Sequence, residues 1–276
     1  MKAYIDADVI AYSAGFASEE RVWVAWDGDF PVEVCKDKGY LKQEYPDLEI
    51  TCQAEPSDTT LALLNTDDMV ERIMERLRDL GPIESFHLCL TGEGNFRQEV
   101  AKTQPYKGNR TAPRPHHHAR IREHLVLEWG ARVVKGYEAD DALSIKGWEW
   151  WRNRKGSPVI MASIDKDLLQ VPGLHFSWQT HNKEEVYEHI EELEAHRHFW
   201  SQVLTGDNGD NIPGIKGIGN KRATKLLQDC ETWEEMQAKV KETYLKKEYT
   251  LDQLNETAEL VYLLRTEDDK WEPVTQ

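Results

Sequence analysis

Apolar residues are distributed along this chain with two different spacings, and the alternation between them outlines the fold. Ala3, Tyr4, Ile5, Val9 and Ile10 crowd together, so residues 3–12 read as a buried first strand followed by a turn. From Arg21 to Phe30 apolar and polar residues alternate around an Asp27-Gly28 turn signal, and Glu49-Ile50-Thr51-Cys52 resumes the extended pattern. A small β-insertion over roughly 20–55 is the expectation. Asp67 to Leu80 carries apolar residues at Val70, Ile73, Met74, Leu77 and Leu80, the spacing of an amphipathic helix, closed by Gly81-Pro82. Ser85 to Leu90 reads as the next strand. The segment from Phe96 to Ala119 is polar and interrupted by Pro105, Pro113 and Pro115, which predicts a loop or arch rather than core. Helix Ala119–Trp129, strand Ala131–Val134, helix Asp140–Arg154 and strand Val159–Ser163 then alternate as a parallel sheet requires. His175–Thr180 and Lys183–Tyr187 suggest a short hairpin, and beyond Ser201 the pattern is helical throughout. The fold class expected is α/β, in a large domain over 1–200 and a smaller helical region over 201–276.

Acidic residues collect where these strands end and helices begin. Glu138, Asp140 and Asp141 follow the break at Gly136, with Glu138 and Asp141 on one helical face and Asp140 about 100° round it. Acids in a first turn are explained equally well by the helix dipole, so this group alone does not define a site. Asp165 and Asp167 follow the apolar run Val159-Ile160-Met161-Ala162, two residues apart and so on one side of an extended chain. Asp207 and Asp210 share a face if their turn is helical, and Asp6 ends the first strand with Asp8 two residues on. Hard carboxylate oxygens gathered in this way suit magnesium or manganese. Without cations they would repel one another.

The charge balance, 34 basic against 50 acidic residues and a net −16, argues against nucleic acid as a partner until its distribution is considered. Arg97, Lys102, Lys107, Arg110, Arg114, Arg120 and Arg122 form one island with Glu99 as its only acid, and Lys216, Lys221, Arg222 and Lys225 form another. The second overlaps Gly214, Gly217 and Gly219, which precede a helix holding Leu226 and Leu227. Such a turn exposes backbone amides at a helix N-terminus and seats a phosphodiester independently of sequence. The four cysteines have neither metal-site spacing nor disulfide density, no signal segment is read and no apolar run is long enough to span a membrane. A soluble cytoplasmic monomer is expected, in the host cytoplasm if the source is a phage.

Together these motifs resemble the 5′-nuclease family: Leu204-Thr205-Gly206-Asp207-Asn208-Gly209-Asp210-Asn211-Ile212-Pro213-Gly214 followed by Gly217-Ile218-Gly219, with Tyr106-Lys107-Gly108-Asn109-Arg110, Glu138-Ala139-Asp140-Asp141 and Ser163-Ile164-Asp165-Lys166-Asp167. The family includes bacteriophage 5′–3′ exonucleases, flap endonucleases and the 5′-nuclease domain of bacterial DNA polymerase I. The resemblance implies a PIN-like domain and a helix-three-turn-helix motif that grips duplex DNA through Gly217, Gly219, Lys221 and Arg222 and binds K+ in relatives. It implies two divalent ions, Mg2+ or Mn2+: Asp6, Glu138 and Asp140 for the first, Asp165, Asp167, Asp207 and Asp210 for the second, with Asp141 close by. Tyr106, Lys107 and Arg110 match residues at the base of the family's arch, where the ring stacks on a frayed base and the cations meet the scissile phosphate. Lys107, Arg110, Asp140 and Asp141 are the catalytic candidates. The substrates implied are DNA with a 5′ end, flap or nick, and RNA primers in an RNA–DNA hybrid.

One departure is visible. Relatives carry a further ligand aspartate after the strand ending at Leu90, where this chain has Thr91-Gly92-Glu93-Gly94-Asn95, so Glu93 or water fills that position. Three other classes remain to be weighed. Ile5-Asp6-Ala7-Asp8-Val9 mimics the nucleophile and acid of a haloacid-dehalogenase-type phosphatase, and the missing aspartate allows a non-catalytic binder of DNA ends or junctions. A PIN-type ribonuclease would lack the glycine hairpin. His116-His117-His118 reads as a polar arch rather than a metal site, because adjacent histidines do not chelate one ion well.

Overall fold

The computed structural model describes residues 1–180 and 183–275, and the chain divides into two compact units. The first comprises Met1–Val9, Ile73–Ala112 and Val126–Gln276; the second, Ile10–Arg72 and Pro113–Leu125.

In chain order, β1 (Lys2–Asp6) passes without a loop into α1 (Ala7–Ala17). This differs from the strand and turn expected over 3–12. The cause is local: the Asp6 carboxylate accepts the amides of Asp8 and Val9, capping the new helix at its first turn. The insertion follows as β2 (Glu19–Asp27), β3 (Phe30–Cys35), α2 (Lys38–Glu44) and β4 (Glu49–Pro56). It is an antiparallel sheet of order β3-β2-β4. The helix α3 (Thr59–Asp79) begins eight residues before the expected Asp67, because Asp58 accepts the Thr60 amide at its start.

The first unit holds a six-stranded sheet of order β6-β5-β1-β7-β8-β9, built from β5 (Ser85–Asn95), β6 (Arg132–Gly136), β7 (Val159–Ala162), β8 (Gly173–Ser177) and β9 (Val186–Ile190). All neighbours are parallel except β8 and β9, the expected hairpin. Between β5 and β6 lie α4 (Arg97–Val100) and α5 (His118–Leu127); between β6 and β7 lies α6 (Ala139–Asn153). The central strands carry continuous apolar runs, as strands covered on both faces must, and β7 is buried at all four positions. Asp6, at the C-terminal end of β1, is therefore delivered to the sheet end where α/β folds place their ligands.

The chain closes with α7 (Glu192–Thr205), a short ladder of β10 (Gly206–Asp207) with β11 (Ile212–Pro213), then α8 (Asn220–Leu227), α9 (Trp233–Lys246) and α10 (Leu251–Val261). Phe199, Trp200, Leu204, Leu227, Met236, Val240, Tyr244 and Leu254 bury a common core here, each worth roughly 1.5–3 kcal/mol. The region is not wholly helical, as the pattern had suggested. A Cβ on Gly206 would lie 2.3 Å from the Gly214 amide nitrogen, so only glycine lets the two short strands approach, and the ladder interrupts the helices.

Candidate active site

The acidic residues singled out in the sequence are each positioned by a different device. Asp6 is 3 % exposed and accepts from Ser163 Oγ at 2.9 Å as well as from the helix amides. Asp140 stands in the first turn of α6. Asp165 is not on a strand: β7 ends at Ala162, and Asp165 caps a 3-10 helix, Lys166–Gln170, by accepting the Asp167 amide at 2.9 Å. Asp167, in that first turn, accepts from Gln202 Nε2 at 2.7 Å. Asp207 ends β10 and Asp210 sits in the tight turn that follows, not in a helix, with Asp207 Oδ1 accepting the Gly209 amide at 2.6 Å.

These carboxylates share one electrostatic field. Burial raises Asp6 to about 7, with Asp8 adding to the effect. Asp167 also rises to about 7, through burial and then through Asp165 and Asp207. Desolvation raises Asp165 as well, with Asp210 and Asp207 contributing. Asp140 is raised well above the ordinary range by burial, then by Asp6, Asp165 and Glu138. Its Oδ1 is buried and has no hydrogen-bond partner among the described residues. Among those residues no three donors converge at ligating distance on one point. An unsatisfied buried carboxylate oxygen among mutually repelling acids is nevertheless the donor chemistry that a hard divalent cation requires.

Asp141 behaves differently from the expectation that grouped it with Asp140. It is fully buried and forms a two-pronged pair with Arg97, at 2.7 and 2.9 Å, while also accepting the amides of Leu264 and Glu138 at 3.0 Å each. Both its oxygens are engaged by the Arg97 guanidinium and main-chain amides, unlike Oδ1 of Asp140. Arg97, 2 % exposed, donates further to the carbonyls of Leu260 and Tyr262 and joins α4, α6 and the end of α10. Burial alone would lower the Arg97 pKa; the Asp141 carboxylate outweighs it and raises it. Arg97 therefore leaves the basic island expected to line an arch. His117 and His118 depart from the polar arch expected of them: both are buried, and His117 Nε2 meets the Ser57 carbonyl at 2.7 Å.

Tyr106, Lys107 and Arg110 stand on the flank formed by Glu138 and Asp210. The Tyr106 hydroxyl lies 2.7 Å from Glu138 Oε2 and 2.8 Å from Asp210 Oδ2, so one proton is shared between two acceptors. Burial, then Glu138, raises its pKa. Lys107 Nζ pairs with Glu138 and lies 3.6 Å from Asp210, and Arg110 pairs with Asp210. Burial opposes the Lys107 charge, but the two carboxylates raise its pKa overall. Main-chain bonds anchor this segment, with the Lys107 amide donating to the Asp210 carbonyl at 2.8 Å.

Three participants were given no role from the sequence, although Ser163 and Lys166 lie within a quoted motif. Ser163 holds Asp6 across the sheet, Gln202 holds Asp167 from α7, and Lys166 Nζ lies 3.8 Å from Asp207. At the departure after Leu90, a Cβ on Gly92 would lie 2.2 Å from the Val134 carbonyl, and Glu93 is exposed. β5 runs on past the expected end at Leu90 to Asn95, and within it the Thr91 amide donates to the Asp8 carboxylate at 2.8 Å.

Beside the acids lies a groove of about 710 Å³ lined by Asp207, Asn208, Gly217, Gly219, Lys221 and Arg222, among others. Gly217 adopts φ +82°, Gly219 caps α8, and Arg222 Nη1 donates to the Gly217 carbonyl at 2.6 Å. The α8 amide terminus and Lys221 thus face a space adjoining the Asp207 turn.

The fold is that of 5′-nucleases. The T5 5′-exonuclease with bound divalent metal ions (zinc) aligns over 94 % of this chain and 88 % of its own, at TM-score 0.53 and 15 % identity. A bacteriophage T5 flap endonuclease complexed with DNA and metal ions aligns over 72 % of this chain and 80 % of its own, at TM-score 0.51 and 17 % identity. The sequence relationship narrows this further: residues 193–270 match the family model for the 5′-3′ exonuclease C-terminal SAM fold. The chain is 34 % identical over 152 residues to the thermostable DNA polymerase I of Thermus thermophilus, covering 51 % of this chain and 18 % of that protein. It is 30 % identical over 155 residues to a 5′-3′ exonuclease of Bacillus subtilis, covering 51 % of this chain and 50 % of that one. The alignments thus span half or less of these relatives' length, and the resemblance read in the motifs is borne out. Among the described residues no helix is long and apolar enough to cross a membrane.

Proposed function

We propose that this chain is a metal-dependent 5′ nuclease that hydrolyses DNA phosphodiesters at 5′ ends, flaps or nicks, with RNA primers in RNA–DNA hybrids as further substrates. The observation that carries this reading is the buried, unpartnered oxygen of Asp140 in the field of Asp6 and Asp165. The related exonucleases and the T5 structures bound to metal and DNA support it.

Asp6, Glu138 and Asp140 would hold one divalent ion, and Asp165, Asp167, Asp207 and Asp210 a second, Mg2+ or Mn2+ being the hard cations suited to them. Asp8, fixed on the Thr91 amide within β5, would take the part that exposed Glu93 does not fill. When bound, such ions acidify water and stabilise the charge that builds on the phosphate and leaving oxygen. The chain's own residues do the positioning. Ser163 and Gln202 fix the orientations of Asp6 and Asp167, and the Tyr106 hydroxyl ties Glu138 to Asp210. Lys107 and Arg110 put positive charge beside these acids, where a phosphodiester would meet it. The α8 terminus with Gly217, Gly219, Lys221 and Arg222 seats the duplex backbone without reading bases, and its glycine turn is the place for a K+ ion.

Incubation of 5′-labelled flap, nicked, blunt and RNA–DNA hybrid duplexes with Mg2+, followed by product sizing, tests this reading. Cleavage to 5′-phosphorylated products, abolished by chelator, is expected. A protein that binds these duplexes but leaves them intact with Mg2+ or Mn2+ would establish the non-catalytic alternative.

A further inference from the structure

Lys166 stands between Asp165 and Asp167, two of the acids assigned to the second ion, and the chemistry proposed above gives it no task. Its side chain is 70 % exposed. The backbone beneath it is pinned. Asp165 caps the 3-10 helix, Leu168 and Gln170 are buried, Gln202 of α7 holds Asp167, and Gln170 Nε2 donates to the Val261 carbonyl at 2.9 Å. A long cationic side chain is thus displayed from a platform fixed to α7 and the end of α10, the kind of support that a positioning group requires.

The same ammonium faces the groove. Three cations line it, Lys221 and Arg222 from α8 and Lys166 from the 3-10 helix, against one carboxylate, Asp207. In a chain of net −16, that local reversal of sign favours an anion. Arg222 already gives Nη1 to the Gly217 carbonyl at 2.6 Å. Lys166 has no comparable commitment: its ion pair with Asp207 Oδ2 spans 3.8 Å, beyond hydrogen-bond reach, and a pair with so exposed a partner is weak. Lys107 and Arg110, by contrast, are closely paired with Glu138 and Asp210. The competing role for Lys166 is that of counter-charge, since it opposes the burial that raises Asp165 and Asp167. A counter-charge would be turned onto the carboxylates, whereas this side chain is largely open to the groove.

We propose that Lys166 is a positioning residue, its ammonium holding a backbone phosphate of the duplex between the α8 terminus and the acids; this rests on the 5′-nuclease reading above. A strand seated at α8 and cut at the acids crosses this groove, and Lys166 borders both ends of that path. The contact is to phosphate, so it carries no sequence information. Lysine suits it as a point charge on a rotatable stem, which follows a phosphate as the strand advances.

Duplex binding in chelator, measured from ~50 to ~200 mM salt, tests the contact without any cleavage. Lys166→Gln weakens affinity about 5-fold at the lower salt and reduces the logarithmic salt slope by about 1, equally for unrelated sequences, as loss of one phosphate contact requires. Lys166→Arg keeps the charge and restores both. Lys155→Gln removes an equal charge at the opposite end of the sheet, ahead of β7, and leaves affinity and slope as in wild type. Lys221→Ala, which the nuclease reading alone expects to weaken binding, is the separate check on that reading. Should Lys166→Gln match Lys155→Gln while Lys221→Ala loses affinity, the proposal is overturned and the reading stands. An unchanged salt slope with tighter Mg2+ binding would likewise overturn it, assigning Lys166 to the acids. A wild type that holds no duplex removes the reading and the proposal together.

Discussion

Asp140 and Asp141 are neighbours in the first turn of α6, yet they belong to electrostatic regions of opposite kind. On one side, the buried Arg97 guanidinium is matched to the buried Asp141 carboxylate, so that each charge has its counter-charge. On the other, Asp6, Asp140, Asp165 and Asp167 face one another, and their carboxyls are all raised. The first region is complete as folded and holds elements together. The second leaves like charges facing one another and a buried Asp140 oxygen without a partner among the described residues, the strain that the proposed cations would relieve. His175 shows a third solution: 6 % exposed, it stays neutral, its pKa pushed down to about 4 by burial.

The largest effect expected from breaking this contrast is catalytic. Asp140→Asn lowers cleavage of a 5′-labelled flap about 10³-fold or more, while duplex affinity in chelator is retained. If binding falls with activity, Asp140 belongs to the structural side. Asp141→Asn does the reverse: it strands the buried Arg97 charge and costs roughly 3–5 kcal/mol in denaturant unfolding. Replacing both partners, as in Arg97→Met with Asp141→Leu, recovers most of that loss, because no unpaired charge is left. A double variant as unstable as Asp141→Asn would show that the hydrogen bonds, not the charge, dominate.

The histidine gives a smaller, pH-dependent effect. An unfolded histidine titrates near 6.5, so between 6.5 and about 4 the unfolded chain binds the proton that His175 refuses. The stability it confers is whole above 6.5 and is lost as pH falls toward 4. His175→Gln should therefore flatten the melting-temperature slope over that interval relative to wild type. The smallest effect concerns the unpaired region in chelator. There Asp140→Asn raises the melting temperature by ~2 °C, and saturating Mg2+ removes the advantage by stabilising wild type alone.

Much of this architecture was legible in one dimension. The alternating apolar runs located the parallel strands to within a few residues, and the acids at their ends announced a site. Local capping set the errors. Asp58 and Asp6 start helices where periodicity alone placed a later start or a turn, because a side chain accepting one amide overrides a neutral apolar pattern. The division of labour between Asp140 and Asp141 was not legible, since adjacent residues on a helix point about 100° apart and only the packing decides which direction meets Arg97. Nor were Ser163 and Gln202, whose roles depend on partners 157 and 35 residues away.

By itself the sequence determined the kind of protein this is: strand and helix order, carboxylates at strand ends, and a glycine turn before a helix, because periodicity and short-range spacing are local properties of the chain. Tertiary structure alone decided which acids remain unpaired and which are neutralised. Whether a charge is tolerated depends on burial and on the nearest counter-charge, and both are set by elements that the chain brings together from far apart.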